Sequence, residues 1–240
     1  MSKFLIAALA LILLGLVIYS PNIARLYKLA NLYNEKSIAK NFININKIFE
    51  TSSPIPASEK PYVFEKKDYD LPESYLFEGE ELKLVDGLDH FHTDGLIILH
   101  EGKMLFEKYW HGNTKDSKHI AFSVSKSYLS ALFGIAIDEG LIDSIDDKVS
   151  KYLDDFDGTG YEDVKIKNLL QMSSGIEFNE DYADPSSDIN RFARATARGS
   201  SFRDFAKTLK NGREQGTYNH YVSLDTQVLG MILESVTDMP

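Results

Sequence analysis

The sequence predicts a mixed α/β (α+β) fold with helices packed on a sheet, preceded by an N-terminal membrane helix. Three observations carry this reading. An uncharged apolar run opens the chain, β-rich runs come early in the part that follows, and mostly helical patterns fill the rest. The 240 residues are 43% hydrophobic and 26% charged, enough for one good core and a lobed second part.

After Met1-Ser2-Lys3 comes FLIAALALILLGLVIY, about 16 apolar residues where a span usually needs about 20. Residues 1–21 therefore read as an uncleaved single-pass anchor, with a cleaved signal peptide as the alternative. No A-x-A-like cleavage site follows, and there is no cysteine for lipid attachment. Either reading exports the remainder, so the expected location is the cell membrane with the folded part outside the cytoplasm, periplasmic or extracellular. Residues 22–62 read as juxtamembrane stalk and linker. SSPIPASEKP (52–61), with three prolines among small polar residues, has a linker's composition. The folded domain is expected over residues 63–240.

Within that domain, GLIILH, EGK and MLFEKYW read as two β-rich runs across a tight turn, hence a hairpin. From Tyr128 to Ile137 nearly every residue is apolar, alanine or glycine. This predicts a helix buried on all sides, with Gly140 placed to end it. LIDSIDDKVSKYLDDF follows as an amphipathic segment, then VKIKNLLQMSSGIEF as a strand or short helix entering a glycine turn. Residues 180–200 read as polar and irregular, FRDFAKTLKNG as a helix, and Leu224 to Val236 as a final helix.

Composition narrows the function. A net charge of −10 argues against a nucleic-acid partner, because phosphate neutralisation needs a basic face. With no cysteine, disulfides, thiol nucleophiles and Cys-ligated metals are excluded. His90, His92 and His100 lie close in sequence but lack a supporting carboxylate and a convincing third spacing, so no metal is expected. There is no G-x-S-x-G, Walker or dinucleotide fingerprint.

The chemistry points to FSVSKSYLSALFGIAIDEG, residues 122–140. Ser123 and Lys126 lie one helical turn apart and share a face at the start of the apolar helix. The free N–H groups and positive dipole end of a helix start favour a developing alkoxide or oxyanion. Burial with the helix would disfavour the charged amine, suiting Lys126 to accept a proton or to serve as a close cation for the serine oxygen. The structural alternative is that Ser123 is an N-cap and Lys126 snorkels to the surface. SIAK, Ser37 to Lys40, has the same S-x-x-K spacing without a buried helix and reads as chance.

FSVSKS with its apolar helix resembles the serine motif of serine hydrolases with the class C β-lactamase and penicillin-binding-protein fold. GTYNHYVSLDTQVLGMILE (216–234) is similar to a second family motif, in which Gly-Thr is followed by a tyrosine and then an apolar helix with Leu-Gly. Counted from Gly216-Thr217, that tyrosine is Tyr221, and Leu229-Gly230 fall in place. VKIKNLLQMSSGIEF resembles the family segment ending in a Ser-Gly turn, and FNEDYADPSSDI resembles the branch of 6-aminohexanoate-dimer hydrolases. The resemblance covers roughly residues 70–240. It implies a β-lactamase-like antiparallel sheet flanked by helices, plus a mostly helical subdomain.

It also implies roles. Ser123 would attack an amide or ester carbonyl and form an acyl-enzyme, and Lys126 and Tyr221 would share proton transfer, with no cofactor. Ser223, where many relatives have asparagine, would hydrogen-bond the substrate or Lys126. Gln215 stands where relatives usually have proline, and the acidic run Glu177, Glu180, Asp181 reads as solvated although its loop lies near the family's cleft. No Lys-Thr-Gly or His-x-Gly triplet, the family's third motif, follows Tyr221, so the chain is expected to be the front part of a longer protein. The expected partner is a small-molecule or peptide-like amide or ester substrate, besides the membrane. Alternatives are a cell-wall D,D-peptidase, transpeptidase or β-lactamase activity, and a non-catalytic membrane-tethered binding protein of the same fold.

Overall fold

The computed structural model of the chain describes residues 30–47 and 55–239, together with Ala24, Tyr27 and Lys28. The expected anchor lies outside the described residues, and among the described residues no helix is long and apolar enough to cross a membrane. The chain divides into two compact units, Met1–Ile120 and Ala121–Pro240.

In the first unit, a short helix α1 (Ile38–Phe42) precedes strand β1 (Glu65–Lys66) and the hairpin of β2 (Ser74–Phe77) and β3 (Glu80–Lys83). Helix α2 (Leu84–His90) leads to β4 (Gly95–His100) and β5 (Lys103–Tyr109), the hairpin expected from the sequence. Its two-residue loop, Glu101-Gly102, has positive φ at both positions (50° and 75°). That backbone matches the twist of the flanking strands and favours glycine at the second position. The sheet order is β1-β5-β4, and β1 joins parallel to β5, so the sheet is not wholly antiparallel as the resemblance implied. A parallel neighbour fits here because β1 arrives from the linker rather than from a hairpin turn.

The second unit opens with a 3₁₀ turn (Phe122–Val124) that runs into helix α3 (Ser125–Asp138). Gly140 ends α3 as expected: at φ 72° it donates to Ile137 O, and Leu141 donates to Ala136 O, a Schellman closure. Further along come α4 (Ile166–Leu170), α5 (Asp188–Ala197), α6 (Phe202–Lys207) and α7 (Ser223–Thr237). Helix α7 is the hub of the core. It buries Leu224, Val228, Leu229, Met231 and Ile232, one continuous apolar stripe, in contact with α3, α4 and α6. Facing it are buried Phe133 and Ala136 of α3, Ile166 and Leu169 of α4, and Phe205 and Ala206 of α6. Each of the larger side chains, Val, Leu, Ile, Met or Phe, contributes about 1.5–3 kcal/mol by leaving water.

Two expectations are corrected. Helix α3 is not buried all round: Leu129, Phe133, Ala136 and Ile137 form one inward stripe, whereas Tyr128, Leu132 and Ile135 are at least half exposed. A run without polar residues hides which stripe meets a partner. The segment 180–200 contains α5, because buried Ser187 accepts from Asn190 N–H as an N-cap and the pattern Ile189, Phe192, Ala195 buries one face. LIDSIDDKVSKYLDDF is amphipathic as expected, burying Ile142, Val149, Leu153 and Phe156, and takes the form of a chain of turns with two 3₁₀ pieces, Val149–Lys151 and Asp154–Phe156. Its Ser144 and Asp147 side chains accept backbone N–H groups (Asp146 N at 3.1 Å, Ser144 N at 3.1 Å), which competes with helix formation.

Candidate active site

The structure brings Ser123, Lys126 and Tyr221 together within the second unit. Lys126 Nζ donates to Ser123 Oγ at 2.9 Å, and the Tyr221 hydroxyl lies 2.8 Å from the same oxygen. The ammonium also sits 5.2 Å from the centre of the Tyr221 ring. Ser123 is in the 3₁₀ turn just ahead of α3, and Lys126 is the second residue of that helix, so the two side chains meet on its first turn. Lys126 is half-buried rather than drawn fully inside, because the helix start itself is open.

The backbone ahead of Ser123 is strained. Phe122 has φ 43°, a left-handed conformation that costs a bulky residue about 1–3 kcal/mol. Ser125 Oγ donates to the Phe122 carbonyl at 2.6 Å and helps fix that turn. The two serines of the motif thus do different things: Ser125 braces the backbone and Ser123 offers its oxygen to Lys126 and Tyr221. At the other S-x-x-K, Ser37 Oγ accepts from Asn41 Nδ2 at 3.1 Å, a helix-end contact.

Tyr221 comes from the segment leading into α7, with Val222 buried behind it as the helix N-cap residue. Burial pushes its phenol up, but the nearby Lys126 ammonium and the Ser123 hydroxyl outweigh this, and Glu180 opposes them. The net effect holds Tyr221 below the ordinary tyrosine range, so its phenolate is more accessible than that of a free tyrosine.

Ser223 does not reach Lys126. Its hydroxyl donates to Glu180 Oε1 at 2.6 Å and its N–H to Glu180 Oε2 at 3.1 Å, while the Tyr182 hydroxyl donates to Glu180 Oε1 at 2.9 Å. Glu180 is therefore not a solvated member of an acidic run. Val222 supplies no capping side chain, and Glu180 caps α7 from outside, where the helix dipole favours an anion. Sequence reasoning missed this because the carboxylate and its partner are 43 residues apart.

Beneath the site, Asp225 of α7 is wholly buried and accepts the Tyr161 hydroxyl at 3.0 Å. Burial pushes its carboxyl up to about 7, against the pull of the Ser174 and Tyr161 hydroxyls and with a further push from Glu180. Gln215 is a latch rather than a neutral replacement for proline. Its Oε1 accepts from Lys165 N (2.9 Å) and Asn168 Nδ2 (2.7 Å), and its Nε2 donates to Asp163 O (2.7 Å). It ties the approach to Tyr221 onto the start of α4.

The profile of the Beta-lactamase family matches residues 83–240, well over half of the chain. The chain belongs to the Beta-lactamase family. A 6-aminohexanoate-dimer hydrolase of Paenarthrobacter ureafaciens is 33% identical over 159 residues, which cover 63% of this chain and 40% of that protein. Among solved structures, a Bacillus anthracis protein proposed to be a 6-aminohexanoate-dimer hydrolase superposes with TM-score 0.77 at 16% identity, over 87% of this chain and 57% of that one. A Bacteroides dorei protein proposed to be a β-lactamase gives TM-score 0.50 at 23% identity, over 65% of this chain and 45% of that one. These superpositions establish a β-lactamase-like α/β fold. The chain spans less than two thirds of the length of each of these relatives.

Proposed function

We propose that this Beta-lactamase family chain carries a serine hydrolase site that cleaves an amide or ester bond through an acyl-enzyme on Ser123. One observation carries the reading: Ser123 Oγ is held at 2.9 Å by an ammonium and at 2.8 Å by a phenol whose acidity is raised. In acylation the Tyr221 phenolate takes the hydroxyl proton as Oγ bonds to the carbonyl carbon. The tetrahedral oxyanion is stabilised by the Ser123 N–H at the helix start. As the C–N or C–O bond breaks, Tyr221 returns the proton to the leaving amine or alcohol. Water then attacks the acyl carbon while Tyr221 accepts its proton, and the proton passes to Ser123 Oγ as the acid departs. Lys126 stays close as the cation that stabilises the phenolate and the developing alkoxide.

The 33% identical relative is named for hydrolysis of a linear amide dimer, so linear amides are the first substrate class to test. In the same reading, the apolar run at residues 4–19 holds the chain at a membrane with the site outside the cytoplasm. Hydrolysis of a panel of activated linear amides and esters tests the function. Wild type is expected to turn over at least one of them, and Ser123→Ala to lose at least about 10³-fold in rate, as removal of a nucleophile does. Turnover that survives Ser123→Ala unchanged would refute the reading.

A further inference from the structure

Tyr221 is bracketed by bonds on both sides. On one side His220 Nε2 pairs with the Phe178 carbonyl at 2.7 Å, and His220 N–H donates to Met172 O at 2.7 Å. On the other, Ser223 gives both its N–H and its hydroxyl to the two oxygens of Glu180. Segments 178–180 and 220–223 are thus zipped together around Tyr221, whose phenol reaches Ser123. Phe178 and Val222 are buried beneath this zipper, which fixes its depth.

We propose that Glu180 is a positioning residue for Tyr221, holding the phenol over Ser123 by clamping Ser223 at the head of helix α7. This inference rests on the serine hydrolase reading given above. Glu180 acts twice, because its carboxylate also opposes the phenolate electrostatically. The charged and titratable groups facing Tyr221 are Lys126 from α3, and Glu180 and Tyr182 from the 178–187 segment. Lys126 pulls the phenol towards ionisation and Glu180 restrains it, so the clamp sets both where the base stands and at what pH it works.

The test uses Glu180→Gln, Glu180→Ala and Ser223→Ala in the full chain, with two readouts. One is NMR titration of ring-labelled tyrosine, with the Tyr221 signal assigned through Tyr221→Phe. The other is the pH profile of the rate of phosphonylation by a fluorophosphonate. Glu180→Gln removes the charge and keeps an acceptor, and is expected to move the Tyr221 titration and the acidic limb of the profile to lower pH. Glu180→Ala also loses the clamp and is expected to slow phosphonylation by about tenfold or more, since small misplacements of a reacting group are costly. Ser223→Ala keeps the N–H bond and should fall between it and wild type. An unmoved Tyr221 titration in Glu180→Gln, or wild-type phosphonylation in a folded Glu180→Ala, would overturn the proposal. A wild type that is never phosphonylated while Glu180→Gln still moves the Tyr221 titration would refute the hydrolase reading and leave the clamp standing.

Discussion

The Tyr221 hydroxyl lies 2.8 Å from Ser123 Oγ across 98 residues of chain. Helices α3 and α7 are in contact and bury Phe133 and Ala136 of the one and Val228 and Ile232 of the other in the same core, so the first turn of one helix meets the approach to the other. The site is thus a direct consequence of one helix pair, and its chemistry depends on that packing.

Tyr221→Phe removes the proposed proton carrier while keeping the ring against Lys126. Acylation is expected to fall about 10²- to 10⁴-fold, the usual worth of a general base. In wild type the phenol is held below its ordinary range, so the acylation rate should climb with pH earlier than a free tyrosine would allow and then level off. The phenylalanine variant should lose that limb, which a pH series of acylation rates measures.

Asp225 gives stability a pH dependence of defined sign. Its carboxyl titrates near 7 in the folded chain against 3.8 ordinarily, so the folded state binds the extra proton between those values. Its contribution is therefore most favourable below about pH 4, declines as pH rises to about 7, and stays unfavourable above that. Asp225→Asn keeps an acceptor for the Tyr161 hydroxyl and removes the charge. It should flatten this part of the profile and raise the melting temperature at pH 8, as read by calorimetry across pH.

Gln215→Ala strips three hydrogen bonds from the 163–168 segment. At about 0.5–1.5 kcal/mol each, partly replaced by water at this half-exposed position, the expected loss is about 1–2 kcal/mol in denaturant unfolding. Because Gln215 leads into Tyr221, acylation should also slow in the folded variant.

Much of this was legible in the sequence where the signal is local. The β4–β5 hairpin announced itself through apolar runs flanking Glu101-Gly102, and the S-x-x-K serine through the helix that follows it. The helix α5 was hidden in a polar stretch because its apolar stripe is short and its cap, Ser187, sits among other small polar residues. The exposed face of α3 was invisible for the opposite reason, since an unbroken apolar run carries no phase. Glu180 was misread as solvated, and the role of Gln215 was not visible, because the partners that matter, Ser223 for the first and the 163–168 segment for the second, are 43 to 52 residues away, and pairings of that range are set by the fold.

Intact-mass analysis after fluorophosphonate treatment tests the central claim most directly, comparing wild type with Ser123→Ala and Ser37→Ala. The account predicts one phosphonyl adduct, formed with loss of fluoride, on wild type and on Ser37→Ala, and none on Ser123→Ala. An adduct that persists in Ser123→Ala, or no adduct on a folded wild-type chain, would contradict it.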